Sequence, residues 1–393
     1  MSTRGDSGRQ LEERTLKELS KTSDTCARCG FCKIVCPTHP FGGGFETFSP
    51  RAKIHFLKDY YEGRAQLTPE WVDRFYRCTT CERCQSVCQT AIPLVHLWEN
   101  IRSEIVTKGL GPMPAHKKMG ALVGEFGNPY GEPASEQARW MLPEHNPVDK
   151  ADILIFGGCT ASYRMPSMLQ AGATILTRLD IPYAYAGGHE QCCSSPLLRT
   201  GQLEAARILI ARNLDLFAST RARQIITPCG GCSKTLKYDY PIWAKKFGKP
   251  FGMEVLHFSE IYLRLIQQGK LKPVKAVEKT VTFHDSCHVG RSQGLFDEPR
   301  KILTAISGIR LLEMPNCREE SRCCGAGGGV KANYPQMAAA IARDRIKEAV
   351  ATGADMLVTM CPFCQGSFTQ AVKELEADIE LSGLETLLMA SVM

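Results

Sequence analysis

Cys26-Ala27-Arg28-Cys29-Gly30-Phe31-Cys32-Lys33-Ile34-Val35-Cys36-Pro37 is the stretch from which the rest of the chain can be read. Its cysteines follow the C-x2-C-x2-C-x3-C spacing of a bacterial [4Fe–4S] site. Two-residue spacers let one turning backbone present three thiolates to one face of a cube, while the fourth leaves at a different angle. A second copy of the spacing is present at Cys78, Cys81, Cys84 and Cys88. Because the fourth cysteine ligates the other cluster in two-cluster proteins, the expectation is one cubane on Cys26, Cys29, Cys32 and Cys88, and another on Cys78, Cys81, Cys84 and Cys36. Zinc is the competing assignment, but zinc sites are usually built from two separated C-x2-C pairs. One departure is that Cys88 is followed by Gln89, with the proline delayed to Pro93. This alters the local turn and leaves the ligand count intact.

Forty-one residues separate Cys36 from Cys78, long for a minimal ferredoxin. Within them Ile54, Phe56, Leu57, Tyr60 and Tyr61 lie at helical spacing after Pro50. Trp71, Val72, Phe75 and Tyr76 predict a second helix after Pro69. Residues 1–115 therefore read as an all-α ferredoxin-type domain with its clusters packed among helices, and 116–150 as a connector.

The remaining cysteines repeat in a different form. Cys159, Cys192-Cys193 and Cys229-Gly230-Gly231-Cys232 are matched by Cys287, Cys323-Cys324 and Cys361-Pro362-Phe363-Cys364. The intervening lengths are 32 and 35 residues in the first copy and 35 and 36 in the second. Each single cysteine and each C-x2-C follows a short apolar run: Ile153–Phe156, Gln224–Thr227, Val281–His284 and Met356–Thr359. Such runs, alternating with amphipathic helices at Leu203–Phe217 and Gln336–Val350, predict parallel sheets whose ligands gather at the carboxyl ends of the strands. The fold class is thus α+β multidomain: the helical domain, then two duplicated α/β lobes at 151–275 and 276–393. Each lobe brings five cysteines to one edge.

Composition narrows the function. Of 393 residues 23% are charged and 44% hydrophobic, and 48 basic against 41 acidic residues leave a net charge of +7 with no dense basic run. That argues against nucleic acid as a partner. The longest charge-free stretch, Met356 to Val372, is broken by Pro362 and Gly366, so no spanning helix is expected. The polar start (Arg4, Asp6, Arg9, Glu12, Glu13, Arg14) has no apolar core like a secretion signal. A cytoplasmic chain is expected, with any attachment to the inner face of the membrane supplied by a partner. Nineteen cysteines there mean metal more readily than disulfides.

The C-x(31–39)-C-C-x(35–36)-C-x-x-C pattern, fitted by both repeats, resembles the CCG motif of heterodisulfide reductase and related iron–sulfur oxidoreductases. Two ferredoxin-type motifs followed by two such repeats resemble the fused form (the D type), in which the C-type and B-type parts are joined. The likeness covers about residues 20–393, including Gly127-Asn128-Pro129-Tyr130-Gly131-Glu132-Pro133 ahead of the first lobe. It implies two noncubane [4Fe–4S] clusters, one on Cys159, Cys192, Cys193, Cys229 and Cys232, the other on Cys287, Cys323, Cys324, Cys361 and Cys364, which face each other and cleave a small disulfide. The residue count is compatible: five thiolates exceed what a closed cubane accepts and favour an opened or bridged cluster. Zinc in one lobe stays an alternative, since Cys192, Cys193, Cys229 and Cys232 alone make a four-sulfur set.

Other residues carry weaker signals. Gly325-Ala326-Gly327-Gly328-Gly329 lacks the order of a nucleotide loop and reads as close approach of backbone to a cluster. Cys317 is left over, most simply a thiol that is not a ligand. Among the protonatable residues near the ligand loops (His189, His284, His288, Arg291, Lys234, Tyr238), His288 is the first candidate general acid. Arg291 and Lys234 are the candidates to hold an anionic substrate tail. With no flavin, nicotinamide or Walker motif, electrons are expected from a partner subunit: a membrane cytochrome b, a flavoprotein or a hydrogenase module. The expected function is reductive disulfide cleavage, or thiol oxidation in reverse, in an anaerobic host. The alternative is a conduit within a flavin-dependent glycolate or lactate dehydrogenase complex, without a substrate site of its own.

Overall fold

The computed structural model describes residues 21–392, so the polar start from Arg4 to Arg14 lies outside the described residues. The described residues form two compact units, 21–118 with 196–203 and 325–341, and the remainder. The short segments 196–203 and 325–341, which the sequence assigns to the lobes, belong to the first unit.

The first unit is helical among its described residues. The Pro50–Tyr61 helix starts where expected because Ser49 Oγ accepts from the Ala52 N–H and Pro50 occupies the first turn. Pro69–Tyr76 starts in the same manner on Thr68 and Pro69. Their apolar faces close on the helix Leu94–Thr107, and Ile54, Phe56, Phe75, Trp98 and Ile101 form the core. The rings of Phe56 and Trp71 stack at 3.9 Å. At the centre of this unit the buried Arg102 donates to the carbonyls of Phe75, Cys78, Arg199 and Gly328, fastening both late segments to the helices.

The second unit holds two four-stranded parallel sheets. In the first lobe the strands are β1 (Ile153–Ile155), β2 (Tyr183–Tyr185), β3 (Gln224–Thr227) and β4 (Glu254–His257), in the order β2-β1-β3-β4. In the second they are β5 (Lys279–His284), β6 (Ile309–Leu312), β7 (Met356–Thr359) and β8 (Glu380–Gly383), in the order β6-β5-β7-β8. The order reverses beside β1 and β5, and the cysteine loops leave the carboxyl ends of β1, β3, β5 and β7, where open parallel sheets place their sites.

The lobes share one core in which Ile155, Leu169, Phe258 and Tyr262 pack with Phe283, Val358, Leu384 and Leu388. Contacts are reciprocal: the helix Pro166–Arg178 meets Leu384–Ser391, and Phe258–Gln267 meets Asp297–Ala305. This is the pattern of a two-fold pairing within one chain. No helix among the described residues is long and apolar enough to cross a membrane.

Candidate metal centres

In the first unit Cys26, Cys29, Cys32 and Cys88 line one hollow, and Cys36, Cys78, Cys81 and Cys84 line another. The structure thus gathers the fourth cysteine of each motif with the first three of the other. The same backbone turn makes both: Arg28 and Gly30 have φ of +55° and +82°, and Thr80 and Glu82 have +53° and +64°. Three non-glycine residues in the left-handed region mark a conformation held by its surroundings, here the ligand loops themselves.

The two hollows differ in depth and charge. Cys29 is exposed, whereas Cys81 and Cys84 are buried. Beside the shallow hollow, Arg51 is paired with Glu46 at 2.8 Å. The deep hollow is lined by Lys53, whose relative exposure is 3%. Burial pulls the Lys53 ammonium down, and the sulfurs of Cys78 and Cys36 raise it again. Burial, then Cys26 and Cys88, pushes the Cys32 thiol up to about 11.

The glycine run belongs to the first unit and meets backbone. A Cβ on Gly327 would stand 2.4 Å from the Thr79 carbonyl oxygen, and one on Gly328 2.3 Å from that of Cys78. Close approach is therefore what the glycines serve, against the loop that carries the second ferredoxin-type motif.

All ten remaining ligand candidates lie in the second unit. Hydrogen-bonding contacts run in one chain from Cys159 through Cys192, Cys193, Cys232, Cys229, Cys361 and Cys364 to Cys324. Cys229 and Cys361 join the two lobes. Contact with neighbouring thiols, then burial, raises Cys192, Cys232 and Cys364 well above the ordinary range. Cys361, bonded by Cys229 and Cys364 and by the Gly230 amide, is drawn well below it. None of the nineteen cysteines is in a disulfide. Buried sulfurs so crowded ionise together only when bound cations replace their protons, so this donor set fits iron–sulfur centres.

The surroundings of the two sulfur sets are equivalent in position and different in chemistry. In the first lobe the buried Glu190 carboxylate accepts from the amides of Gly157 and Gly158, at 2.9 and 2.7 Å, and so braces the loop before Cys159. Burial pushes its carboxyl up to about 8 despite those bonds. In the second lobe the matching Ser321 donates from Oγ to the Asp285 carbonyl, and Asp285 takes two bonds from Arg300. Asn213 donates to the Gln191 and Cys192 carbonyls; its counterpart Arg345 donates to Asn316, Ser321 and His284. Between the lobes His257 takes the Ser259 N–H on Nδ1 at 3.2 Å, which leaves the proton on Nε2. Nε2–H then points at the Pro228 and Met360 carbonyls, at 3.1 and 2.9 Å, each one residue before a C-x2-C.

The residues expected as acid or anion binders, His288, Arg291 and Lys234, flank the cysteine loops in sequence. The Cβ of His288 comes within 3.6 Å of where a Cβ on Gly230 would be, and its carbonyl accepts from Gln293, which Ser233 also bonds. Arg291 donates to the Glu319 and Ser321 carbonyls, bracing the approach to Cys323. Lys234 ends the helix that begins in Gly230. Cys317 lies apart, half-buried in the polar neighbourhood of Glu313, Arg300 and Asp285.

Sequence reasoning misses Lys53, Arg102, Tyr130 and His257 as site residues. Tyr130 bonds Thr160 at 2.8 Å, and the Gly127 carbonyl accepts from the Cys192 amide at 2.7 Å, so the connector segment supports the first cysteine set. The only signal for Lys53 in the sequence is a cation on the apolar side of its helix, three residues after Pro50.

Comparison with known proteins agrees with this arrangement. Residues 22–92 match the 4Fe-4S dicluster domain, and 153–237 and 281–369 each match the CCG cysteine-rich domain. The D subunit of the dihydromethanophenazine:CoB–CoM heterodisulfide reductase of Methanosarcina barkeri is 38% identical over 91% of this chain and 90% of its own length. The B subunit of the CoM/CoB fumarate reductase of Methanothermobacter marburgensis is 34% identical over 92% and 71%. The EtfAB:quinone oxidoreductase of Syntrophomonas wolfei is 27% identical over 90% of this chain and 56% of its own length. With one helical dicluster domain, a duplicated CCG region and near end-to-end similarity to the Methanosarcina protein, the chain belongs to the family of the heterodisulfide reductase D subunit, a family of iron–sulfur oxidoreductases.

Proposed function

We propose that this chain is the catalytic subunit of a heterodisulfide reductase-like complex, and that it takes electrons from a partner subunit and cleaves a small disulfide. The two hollows of the first unit would hold cubane [4Fe–4S] clusters, on Cys26, Cys29, Cys32 and Cys88 and on Cys36, Cys78, Cys81 and Cys84. The two five-cysteine sets would each hold a noncubane [4Fe–4S] cluster. When bound, these clusters supply single electrons in pairs, so that R–S–S–R′ with two electrons and two protons gives RSH and R′SH.

The chain's own residues do the rest. His257 holds the two C-x2-C loops at a fixed spacing, Glu190 and Ser321 set the loops before Cys159 and Cys287, and the cation of Lys53 faces the deep hollow. His288, next to Cys287 and with its Cβ near Gly230, is the candidate to deliver a proton. Lys234 is the cation for an anionic substrate, while Arg291 is committed to the Cys323 loop. The observation that carries this reading is the continuous sulfur chain through Cys229 and Cys361, because it brings both sets to one place.

The test is disulfide reduction by the anaerobically purified chain with reduced viologen as donor and the CoB–CoM disulfide or another small disulfide as substrate. Cys193→Ala and Cys324→Ala should each abolish turnover while both cubane signals persist. Turnover surviving both substitutions refutes the mechanism, and a chain with all its clusters that passes electrons but reduces no disulfide is a conduit, as in the 2-hydroxy acid dehydrogenase alternative.

A further inference from the structure

The two lobes differ three residues before the first cysteine of each set, just past the end of β1 and at the end of β5. Phe156 stands three positions before Cys159, and His284 three before Cys287. Phe156 is buried against Phe217. His284 is buried to 1% exposure and packs edge-on against Phe368, with ring centroids 4.7 Å apart. An imidazole nitrogen of His284 and the sulfurs of Cys324 and Cys364 all lie within 4.8 Å of one another. Nε2 is fully buried and has no hydrogen-bond partner among the described residues.

Tautomer decides what that nitrogen can do. Arg345 donates its Nε–H to Nδ1 at 3.2 Å. A guanidinium has no lone pair to offer, so Nδ1 must be the acceptor and the ring proton sits on Nε2. Coordination of a metal through Nε2 would need that proton moved to Nδ1, against the Arg345 N–H. The imidazole is therefore built to donate, and the sulfurs of Cys324 and Cys364 are the acceptors gathered with it within 4.8 Å. A buried donor left without an acceptor is destabilising, which argues that one is present in the working protein.

We propose that His284 Nε2–H donates a hydrogen bond to sulfur of the iron–sulfur centre held by Cys287, Cys323, Cys324, Cys361 and Cys364, and that the first lobe, with Phe156, has no equivalent bond. This rests on both five-cysteine sets holding iron–sulfur centres. A hydrogen bond to sulfur stabilises the reduced state, so the second-lobe centre accepts an electron more readily for this contact. The two halves of the disulfide then meet centres of unequal electron affinity, and the first electron is directed to one side.

The experiment compares wild type, His284→Phe (the first-lobe residue) and His284→Gln on the anaerobic full chain. Iron content is read first. A wild-type second lobe lacking iron refutes the functional reading beneath the inference, and that failure is distinguishable from failure of the hydrogen bond itself. With iron retained, His284→Phe should lower the potential of one centre by a tenfold change in its one-electron equilibrium, about 59 mV, and leave the others unmoved. His284→Gln, which keeps a donor, should recover part of the shift. An unshifted potential in His284→Phe overturns the proposal. Should that variant fail to fold, wild type alone decides by pulsed EPR of the reduced centre. A weak histidine nitrogen coupling with an exchangeable proton supports donation. A strong coupling of a directly bound nitrogen, or none, overturns it.

Discussion

His257 Nε2 stands 2.9 Å from the carbonyl oxygen of Met360, a residue of the other lobe, and the same N–H is shared with Pro228 of its own. The matching position at the end of β8 is Gly383, so one histidine serves both C-x2-C loops and the two lobes are not equivalent there.

Replacing that histidine tests its share in holding the lobes together. His257→Phe leaves two buried carbonyls without their donor, at about 1–3 kcal/mol each, and should lower the urea midpoint accordingly. His257→Gln, which retains an N–H, should lose less. A midpoint unchanged in His257→Phe would show that the contact stabilises nothing.

The glycine run makes a sharper claim about backbone. Gly328 has a φ of +59° and would place a Cβ 2.3 Å from the Cys78 carbonyl oxygen. Gly328→Ala should destabilise the chain by about 2 kcal/mol or more and weaken the iron–sulfur EPR signal of the deep hollow before that of the shallow one. Gly124→Ala, in a helix with nothing within 4 Å of the new Cβ, is the control and should be neutral or stabilising by roughly 0.5–1 kcal/mol.

Much of this arrangement is legible in the residues alone. Proline and Ser or Thr at the helix starts, the spacing of Cys26 to Cys88, and the doubled CCG spacing announce the helical domain and the paired lobes. What escapes has a physical reason. Strands β2 (Tyr183-Ala184-Tyr185) and β8 (Glu380-Leu381-Ser382-Gly383) are short and weakly patterned, and they are strands only because β1 and β7 offer them ladder partners. Tertiary pairing, rather than local propensity, decides them. Lys53, His257 and Arg102 escape because their roles come from carbonyls and sulfurs distant in sequence. The glycine run reads as approaching a cluster; the atoms that Gly327 and Gly328 abut are the carbonyls of Thr79 and Cys78.

Charge at the deep hollow predicts a redox effect. Lys53 is buried among Cys36, Cys78 and Cys84. Lys53→Met should lower the potential of that centre by a tenfold or larger change in its one-electron equilibrium, about 59 mV or more, with the shallow centre unmoved. Lys53→Arg should keep most of the potential. Equal shifts in both centres would mean a global rearrangement rather than a local charge.

Stability should also depend on pH through Glu385, which is fully buried in the shared core beside Leu384. Burial pushes its carboxyl up to about 8 from an ordinary 4.5. Above the ordinary value the unfolded chain releases this proton while the folded chain keeps it. Folding is therefore progressively disfavoured as pH rises from 4.5 to about 8, with no further change above. Glu385→Gln removes that penalty, so its advantage over wild type in denaturant midpoint should be greater at about pH 8.5 than at about pH 5. An advantage independent of pH would show that Glu385 does not titrate in this window.

The proposed chemistry requires that the ten cysteines of the paired lobes hold redox-active iron. Iron and zinc counted per chain in the anaerobically purified protein decide this. The expected result is about sixteen irons, four clusters of four, with no stoichiometric zinc. About eight irons with one or two zinc ions would leave cubanes alone in the helical domain and contradict the proposed chemistry of the sulfur chain from Cys159 to Cys324.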